Sequence, residues 1–181
     1  MNLDWHGPYD ALEIVEGKFH GAELSGCYVW YVPLGEGLQP FYVGMTGKRK
    51  LRQRLAEHFT KQLGGEYRCL DVKKLRAGKR WCQAQVYQWD KNAWSLDFLQ
   101  NWTRLGPQAY ETLKAIRFYV AVTLPTEASD AEATLMRSYL SKGFKLSNIQ
   151  QPREVVPAIQ INHLGVPQIS DDLGPTSGAS A

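Results

Sequence analysis

The chain has 181 residues, 22% of them charged and 44% hydrophobic, and a formal net charge of +3. These values exclude a disordered chain and suit one globular domain, or one domain with tails. No stretch reaches the ~18 apolar residues of a membrane span, and no basic and apolar leader opens the chain, so we expect a cytoplasmic protein without a membrane partner. The cysteines lie at no metal-ligand or redox spacing and are expected to be reduced: Cys27, Cys69 and Cys82.

Two strands are predicted early in the chain. Residues 1–25 are interpreted as a lead-in segment with at most one short strand at 12–15. Residues 26–32 (GCYVWYV) are dense in β-branched and aromatic side chains, which predicts a strand. Glycines and a proline mark a loop at 35–40, and 41–44 (FYVG) predict a second short strand. Two strands joined by a tight loop favour an antiparallel pair.

A basic helix is predicted next, from about Lys48 to the glycine pair at 64 and 65. Its apolar residues recur every four positions and form one stripe: Leu51, Leu55 and Phe59. Arg54 and His58 are also four apart, so they share a neighbouring face of this helix.

The middle of the chain is predicted to mix helices with a strand. In chain order, the pattern indicates a short helix at 70–76, a strand at 81–89, a helix at 93–104 that Pro107 breaks, and a helix at 109–115. Residues 116–124 (IRFYVAVTL) then predict a strong strand.

A last helix is predicted at 127–140, with Thr126 as its N-terminal cap. Its apolar side again recurs every four residues: Ala131, Leu135 and Tyr139. Beyond Pro152 the pattern weakens to one edge strand at 155–161, and residues from 171 onward are typical of a disordered tail.

Phosphodiester cleavage needs a proton acceptor for the nucleophile and positive charge at the phosphate. Residues 26–58 offer such groups on two strands and a helix: Tyr28, Tyr42, Arg54 and His58. The planar fork of an arginine matches two phosphate oxygens at once. Strand tyrosines usually pack in a core, however, and basic helices usually face solvent, so the residue types alone favour packing over catalysis.

Two triplets on the predicted strands resemble the signature of the GIY-YIG nuclease superfamily. They are Gly26-Cys27-Tyr28 and Tyr42-Val43-Gly44, in which Cys27 and Val43 stand in place of isoleucine. The helix that carries Arg54 looks like the family's arginine helix. A histidine one turn later, His58, is similar to the restriction-endonuclease branch of the family. The resemblance covers residues 26–59 and 116–148.

The resemblance implies an α+β fold, a mixed α/β arrangement in which a central three-stranded antiparallel sheet is flanked by helices. The nuclease domain would span 26–150 and contain 66–115 as an insertion of helices and a strand. A C-terminal extension at 151–170 and the tail at 171–181 would follow.

The resemblance also implies six site residues: Tyr28, Tyr42, Arg54, His58, Glu132 and Asn148. Tyr28 would act as general base or orient the attacking water, and Tyr42 would support it or contact the phosphate. His58 would take up the proton of Tyr28 or polarise its hydroxyl. Arg54 would hold the scissile phosphate. Glu132 would bind one divalent ion, Mg²⁺ or Mn²⁺, which stabilises the leaving oxygen. Asn148 would orient the site rather than react.

Several of these roles have alternatives at the level of sequence. Glu127 or Asp130 would be the metal ligand if the helix register differs by a few residues. His58 would be structural if its ring only packs. Which of the two tyrosines handles the proton is left open.

Basic residues form two runs that suit contacts with DNA phosphates: Lys48, Arg49, Lys50 and Arg52, then Lys73, Lys74 and Arg80. A solvated face is an equal alternative for each run. The tryptophans of the middle segment are expected to pack rather than stack on bases, since Trp94, Phe98 and Trp102 share helical spacing.

The sequence thus predicts a metal-dependent endonuclease of the restriction type that acts on double-stranded DNA. Cutting both strands needs two active sites or two visits by one, which makes a homodimer plausible. The alternatives are a structure-specific repair or mobile-element nuclease, a catalytically inactive nucleic-acid-binding module, and an unrelated aromatic-rich interaction domain.

Overall fold

The computed structural model describes residues 2–67, 69–79, 91–148, 152 and 162–164, without the side chains of 91–94 and 162–164. The strand predicted at 81–89, the edge strand predicted at 155–161 and the tail from 171 lie outside these residues, as do Arg80, Cys82 and Trp81. Within them, no helix is long and apolar enough to cross a membrane.

The fold is α+β, as the sequence predicts, and its centre is one mixed sheet. The strands are β1 (Asn2–Tyr9), β2 (Gly26–Leu34), β3 (Gly37–Thr46), β4 (Arg117–Val122) and β5 (Asn162–Leu164). They lie in the order β3-β2-β4-β1-β5. The predicted antiparallel pair of β2 and β3 is confirmed.

The sheet is wider than the three strands predicted. Strands β3, β2 and β4 form the expected antiparallel centre, but β1 adds a fourth antiparallel strand beside β4 and β5 lies parallel to β1. The segment at 2–9 therefore belongs to the sheet. Its alternating exposed and buried residues suit a strand, but Gly7 and Pro8 interrupt the pattern and hid it.

The short strand predicted at 12–15 is wrong, because these residues belong to helix α1 (Ala11–Glu16). Asp10 caps the helix by accepting hydrogen bonds from the backbone N–H groups of Leu12 and Glu13, at 2.9 Å each. The Glu13 carboxylate accepts a bond from the backbone of Asp10 in return. This reciprocal capping box outweighs the strand preference of Ile14 and Val15.

The remaining described helices are α2 (Leu51–Leu63), α3 (Val72–Arg76), α4 (Lys91–Gln100), α5 (Trp102–Ala115) and α6 (Ala128–Ser141). The predicted break at Pro107 is wrong: Pro107 lies inside α5, and the chain breaks earlier, at Asn101. The Asn101 amide donates to the backbone carbonyl of Asp97 at 3.0 Å and so closes α4. Thr126 is not the cap of α6 either, since Glu127 occupies that position.

Strand β2 is buried on both faces and separates two apolar cores. Its even-numbered residues, such as Tyr28 and Trp30, face the core that contains the apolar stripe of α2. Its odd-numbered residues, such as Cys27 and Tyr31, face the core that contains α6. Because side chains alternate along a strand, neighbouring residues of β2 contact the core of α2 and the core of α6 in turn.

Candidate active site

The two signature triplets contain glycines at points of close approach. Tyr28 pairs with Gly44 across β2 and β3. A Cβ atom on Gly44 would lie 2.4 Å from Cζ of Tyr28 and 2.5 Å from its hydroxyl oxygen. A Cβ atom on Gly26 would lie 2.2 Å from the carbonyl oxygen of Ala121. Both glycines are therefore steric requirements: one lets the Tyr28 ring cross β3, and the other lets β2 approach β4.

The hydroxyl of Tyr28 is hydrogen-bonded to His58, with 2.6 Å between the oxygen and Nε2. Both side chains are buried, with 0% and 1% of their surface exposed. His58 lies on the buried side of α2 beside Phe59. Its other nitrogen, Nδ1, lies 2.8 Å from the hydroxyl oxygen of Tyr67, in the loop after α2. The imidazole is thus held by a phenol at each nitrogen.

Aromatic rings surround the imidazole of His58. Trp30 meets it edge to face with 4.8 Å between ring centroids, and Tyr42 meets it at 5.5 Å. Burial and the positive charge of Arg54 lower the pKa of His58 to about 3. The ring is therefore neutral at pH 7, and one of its nitrogens donates a hydrogen bond while the other accepts one.

The two tyrosines of the triplets are adjacent and difficult to ionise. Their rings stack with 6.3 Å between centroids. Burial raises the pKa of Tyr28 well above its usual value, and Tyr42 adds to the rise, whereas Arg54 opposes it. Burial also raises the pKa of Tyr42, and Arg54 again opposes the change. A phenolate in this site depends on the nearby guanidinium and on a proton acceptor.

Arg54 is held by a carboxylate on its own helix. Its Nη1 donates to Oε2 of Glu57 at 2.5 Å, and Glu57 also accepts from Nη1 of Arg49 at 2.9 Å. Only 23% of the Arg54 side chain is exposed. Glu57 therefore fixes the guanidinium of Arg54, and the charge of that guanidinium opposes the rise in the pKa of both tyrosines.

Glu132 is the acid of α6 that acts on this cluster. Its half-buried carboxylate raises the pKa of both Tyr28 and Tyr42. Burial raises the pKa of Glu132 itself, and Arg54 opposes that rise. Glu132 is thus an acid of α6 that is electrostatically coupled to both tyrosines and to Arg54.

A divalent ion suits this arrangement. Among the described residues, no group of three or more His, Cys, Asp or Glu side chains forms a ready-made metal cage. Mg²⁺ does not need one, because it is commonly held by one or two carboxylates, with water and substrate phosphates completing its shell. The partly buried Glu132 carboxylate is an oxygen donor of the kind that such a site uses, and the charge of Arg54 acts on it.

Asn148 anchors β3 at Val43, between Tyr42 and Gly44. Its amide Nδ2 donates to the carbonyl oxygen of Val43 at 2.7 Å, and its Oδ1 accepts from the N–H of Val43 at 3.1 Å. The backbone N–H of Ser147 donates to the carbonyl oxygen of Phe41 at 2.7 Å. These bonds satisfy backbone groups of the edge strand next to Tyr42, which is a positioning role.

The first basic run is largely paired with acids. Glu57 binds Arg49, and Glu23 binds both Lys50 and Arg52. In the second run, Lys73 and Lys74 are exposed on α3, where Lys74 pairs with Asp71 at 3.4 Å. Lys48 is exposed just before α2. The predicted contact of these residues with DNA remains a prediction, and α3 is less neutralised than α2.

One tryptophan of the middle segment is exposed. Trp102 has 50% of its surface exposed and packs its other part against Phe98, with 5.4 Å between ring centroids. Its helical neighbour Trp94 and the earlier Trp89 have no described side chain. Phe98 is therefore packed as expected, whereas Trp102 packs on Phe98 with only part of its side chain.

Two members of the cluster escaped the sequence analysis. Glu57 follows Arg54 by three residues, and this helical spacing was a usable signal for an ion pair. Tyr67 lies beyond the glycine pair that ends α2. Nothing in the pattern of that loop indicates that the chain returns to His58, because the contact depends on the path of the turn.

Comparisons with protein-family models, with curated proteins and with solved structures find no match for this chain. The resemblance to GIY-YIG nucleases is therefore carried by the chain's own triplets and by the placement of the cluster. The activity that this resemblance implies is a proposal.

Proposed function

We propose that this protein is a metal-dependent DNA endonuclease with a GIY-YIG-type active site and restriction-enzyme-like activity. One observation carries the proposal: the buried Tyr28 hydroxyl lies 2.6 Å from a neutral His58. Arg54 and Glu132 act on the same hydroxyl. A buried tyrosine that only packs needs one hydrogen-bond partner for its hydroxyl, whereas Tyr28 also feels the charges of an arginine and a carboxylate.

Tyr28 is the better candidate for the general base of the two tyrosines. A phenol must first lose its own proton to accept one from water, and His58 Nε2 is within hydrogen-bonding distance. Arg54 favours the resulting phenolate through its charge. Tyr42 stacks on Tyr28 and is less buried, which suits a supporting contact to the phosphate.

Arg54 would bind the scissile phosphate. Its guanidinium presents several N–H donors in a plane, and Glu57 occupies only Nη1 among them. Glu57 therefore fixes the plane and leaves other donors for phosphate oxygens. Charge-assisted bonds of this kind strengthen as negative charge builds up in the transition state.

Glu132 would hold the divalent ion. Mg²⁺ or Mn²⁺ bound there supplies Lewis-acid stabilisation of the leaving oxygen. Asn148 holds β3, and with it Tyr42 and Gly44, in register with these groups.

Duplex DNA is the proposed substrate, and a homodimer is the proposed form for cutting both strands. The exposed basic residues of α3 support contacts with a polyanion. Sequence recognition would involve groups outside the six site residues, because phosphate contacts carry no base information.

The test is cleavage of supercoiled plasmid and of branched DNA, each with Mg²⁺ and with EDTA. We expect Mg²⁺-dependent duplex fragments from wild type and none from Glu132→Ala. Glu111→Ala, which removes an exposed carboxylate on α5, is the matched control and should cut like wild type. Cleavage of branched DNA alone would favour a structure-specific nuclease, and DNA binding without cleavage would favour an inactive module. Equal cutting by wild type and Glu132→Ala would contradict the metal assignment.

A further inference from the structure

Tyr67 contacts the cluster through the Nδ1 atom of His58, although it is not one of the six predicted site residues. Its hydroxyl oxygen lies 2.8 Å from Nδ1 of His58, opposite the 2.6 Å contact between Nε2 and Tyr28. Tyr67 is half-buried, whereas Tyr28 is fully buried. The three side chains thus form a line from the buried hydroxyl toward the surface.

The loop that carries Tyr67 is held in place. The backbone N–H of Glu66 donates a hydrogen bond to the carbonyl oxygen of Lys61 at 2.9 Å. Gly65 has a φ of 75°, and a Cβ atom at this position would lie 2.3 Å from the Phe98 side chain. Because helix α4 packs directly on this turn, the position of Tyr67 is fixed by backbone and core contacts rather than by its hydroxyl alone.

The neighbours of Tyr28 decide which nitrogen of His58 carries the proton. The permanent positive charge of Arg54 opposes the rise that burial causes in the pKa of Tyr28, so it repels the hydroxyl proton, and its guanidinium has no acceptor to offer. The Tyr28 proton therefore points to Nε2 of His58. A neutral imidazole that accepts at Nε2 carries its proton at Nδ1, and this N–H then donates to the Tyr67 oxygen.

We propose that Tyr67 is a positioning residue that holds His58 as the Nδ1–H tautomer and takes the Nδ1 proton when Nε2 receives the proton of Tyr28. This inference rests on the nuclease function proposed above. It adds a proton path from the active site through His58 to a residue outside the six predicted ones.

The transfer is balanced in protons and charge. The O–H bond of Tyr28 breaks as the Nε2–H bond of His58 forms, and the Nδ1–H bond breaks as a new O–H bond forms on Tyr67. The original Tyr67 proton passes to bulk water. Tyr28 becomes a phenolate, His58 is neutral in its other tautomer, and Tyr67 is neutral.

The surroundings of His58 favour a path that never charges the ring. Burial opposes an imidazolium most strongly, and the charges of Arg54, Lys61 and Arg49 add to this effect, whereas Glu57 favours the charged ring. The groups that face the ring from β2, β3 and the loop are Tyr28, Tyr42 and Tyr67, which are neutral phenols in the free protein. A simple transfer to His58 would create a buried cation, whereas release through Tyr67 does not.

The first test is ¹⁵N NMR of the His58 ring in the free protein, with His58→Gln used to assign the signals. We expect wild type to show a protonated Nδ1, with slow exchange, and an unprotonated Nε2. Tyr67→Phe should lose that protected Nδ1–H signal. Tyr139→Phe, which removes a hydroxyl bonded to Tyr31 at 3.0 Å in the other core, is the matched control and should keep it. A proton on Nε2 in wild type would overturn the proposal. This result would arise if the Tyr28 hydroxyl donated to Tyr42 and its oxygen accepted a hydrogen bond from Nε2–H. An unchanged Nδ1–H in Tyr67→Phe would also overturn the proposal.

The second test is single-turnover cleavage with DNA affinity measured in parallel. We expect Tyr67→Phe to cut about 10- to 100-fold more slowly, part of the ~10²- to 10⁴-fold effect of general base catalysis, with DNA affinity unchanged. A residue that only packs would leave this rate unchanged, and that result would overturn the relay. If wild type cuts no DNA, the proposed function fails, and the NMR experiment alone then decides the tautomer that Tyr67 holds.

Discussion

Tyr28 and Gly44 are cross-strand partners, and the tyrosine ring occupies the space that a side chain at 44 would need. We predict that Gly44→Ala lowers the free energy of unfolding by about 1 to 3 kcal/mol, because the ring or the strand must move. Urea unfolding measures this change. The same substitution in a Tyr28→Val background should cost much less, since the ring is gone. An equal cost in both backgrounds would mean that the ring is not what excludes a side chain at 44.

Glu132 is predicted to be a functional group whose burial reduces stability. Its pKa is raised in the folded protein, so folding favours the protonated form and stability falls as pH rises through the range of its titration. Glu132→Gln cannot ionise. The variant should therefore have a higher Tm than wild type at pH 7, and the difference should shrink toward pH 4. Glu111→Gln is the exposed control. A lower Tm for Glu132→Gln at pH 7 would contradict the role of burial.

His58 should have the opposite effect on acid stability. Its pKa falls from 6.5 to about 3 on folding, so the unfolded chain binds the proton more tightly. The contribution of the neutral His58 to the free energy of unfolding is complete above about pH 6.5. It is lost as the pH falls toward 3, at no more than about 1.4 kcal/mol per pH unit. His58→Gln should flatten this part of the curve in chemical unfolding at stepped pH. His20→Gln, at an exposed position, should keep the wild-type slope. Equal slopes for all three proteins would place the titration elsewhere.

Asn148→Ala is predicted to separate positioning from chemistry. The substitution removes two hydrogen bonds to the backbone of Val43 and should lower the free energy of unfolding by about 1 to 3 kcal/mol. It should also slow DNA cleavage, because Tyr42 and Gly44 flank the freed residue. Asn101→Ala removes amide bonds to Asp97 at the end of α4 and serves as control. We expect similar destabilisation there with normal cleavage, and normal cleavage in Asn148→Ala would refute the positioning role.

Local patterns were enough to predict the elements that place the site. The aromatic and β-branched run of β2 and the four-residue stripes of α2 and α6 each reflect burial along one element. The stripe of α2 also explains why His58, next to Phe59, is buried. Strand β1 and the cap of α1 were missed, since their signals are an interrupted alternation and a short capping box.

The contacts between elements could not be predicted from the sequence. The meeting of Tyr67 with His58 depends on the path of the turn after α2. The coupling of Glu132 to Tyr28 depends on how α6 packs across the sheet. Each is set by tertiary packing, which no single segment encodes.

The most direct test of the proposed active site is single-turnover cleavage of duplex DNA in Mg²⁺ by wild type and by Tyr28→Phe. Phenylalanine keeps the ring over Gly44 and removes only the hydroxyl that bonds to His58. We expect wild type to cut, and Tyr28→Phe to bind the duplex equally well but cut at least about 100-fold more slowly. Equal rates for the two proteins, or no cleavage by wild type, would contradict the proposal.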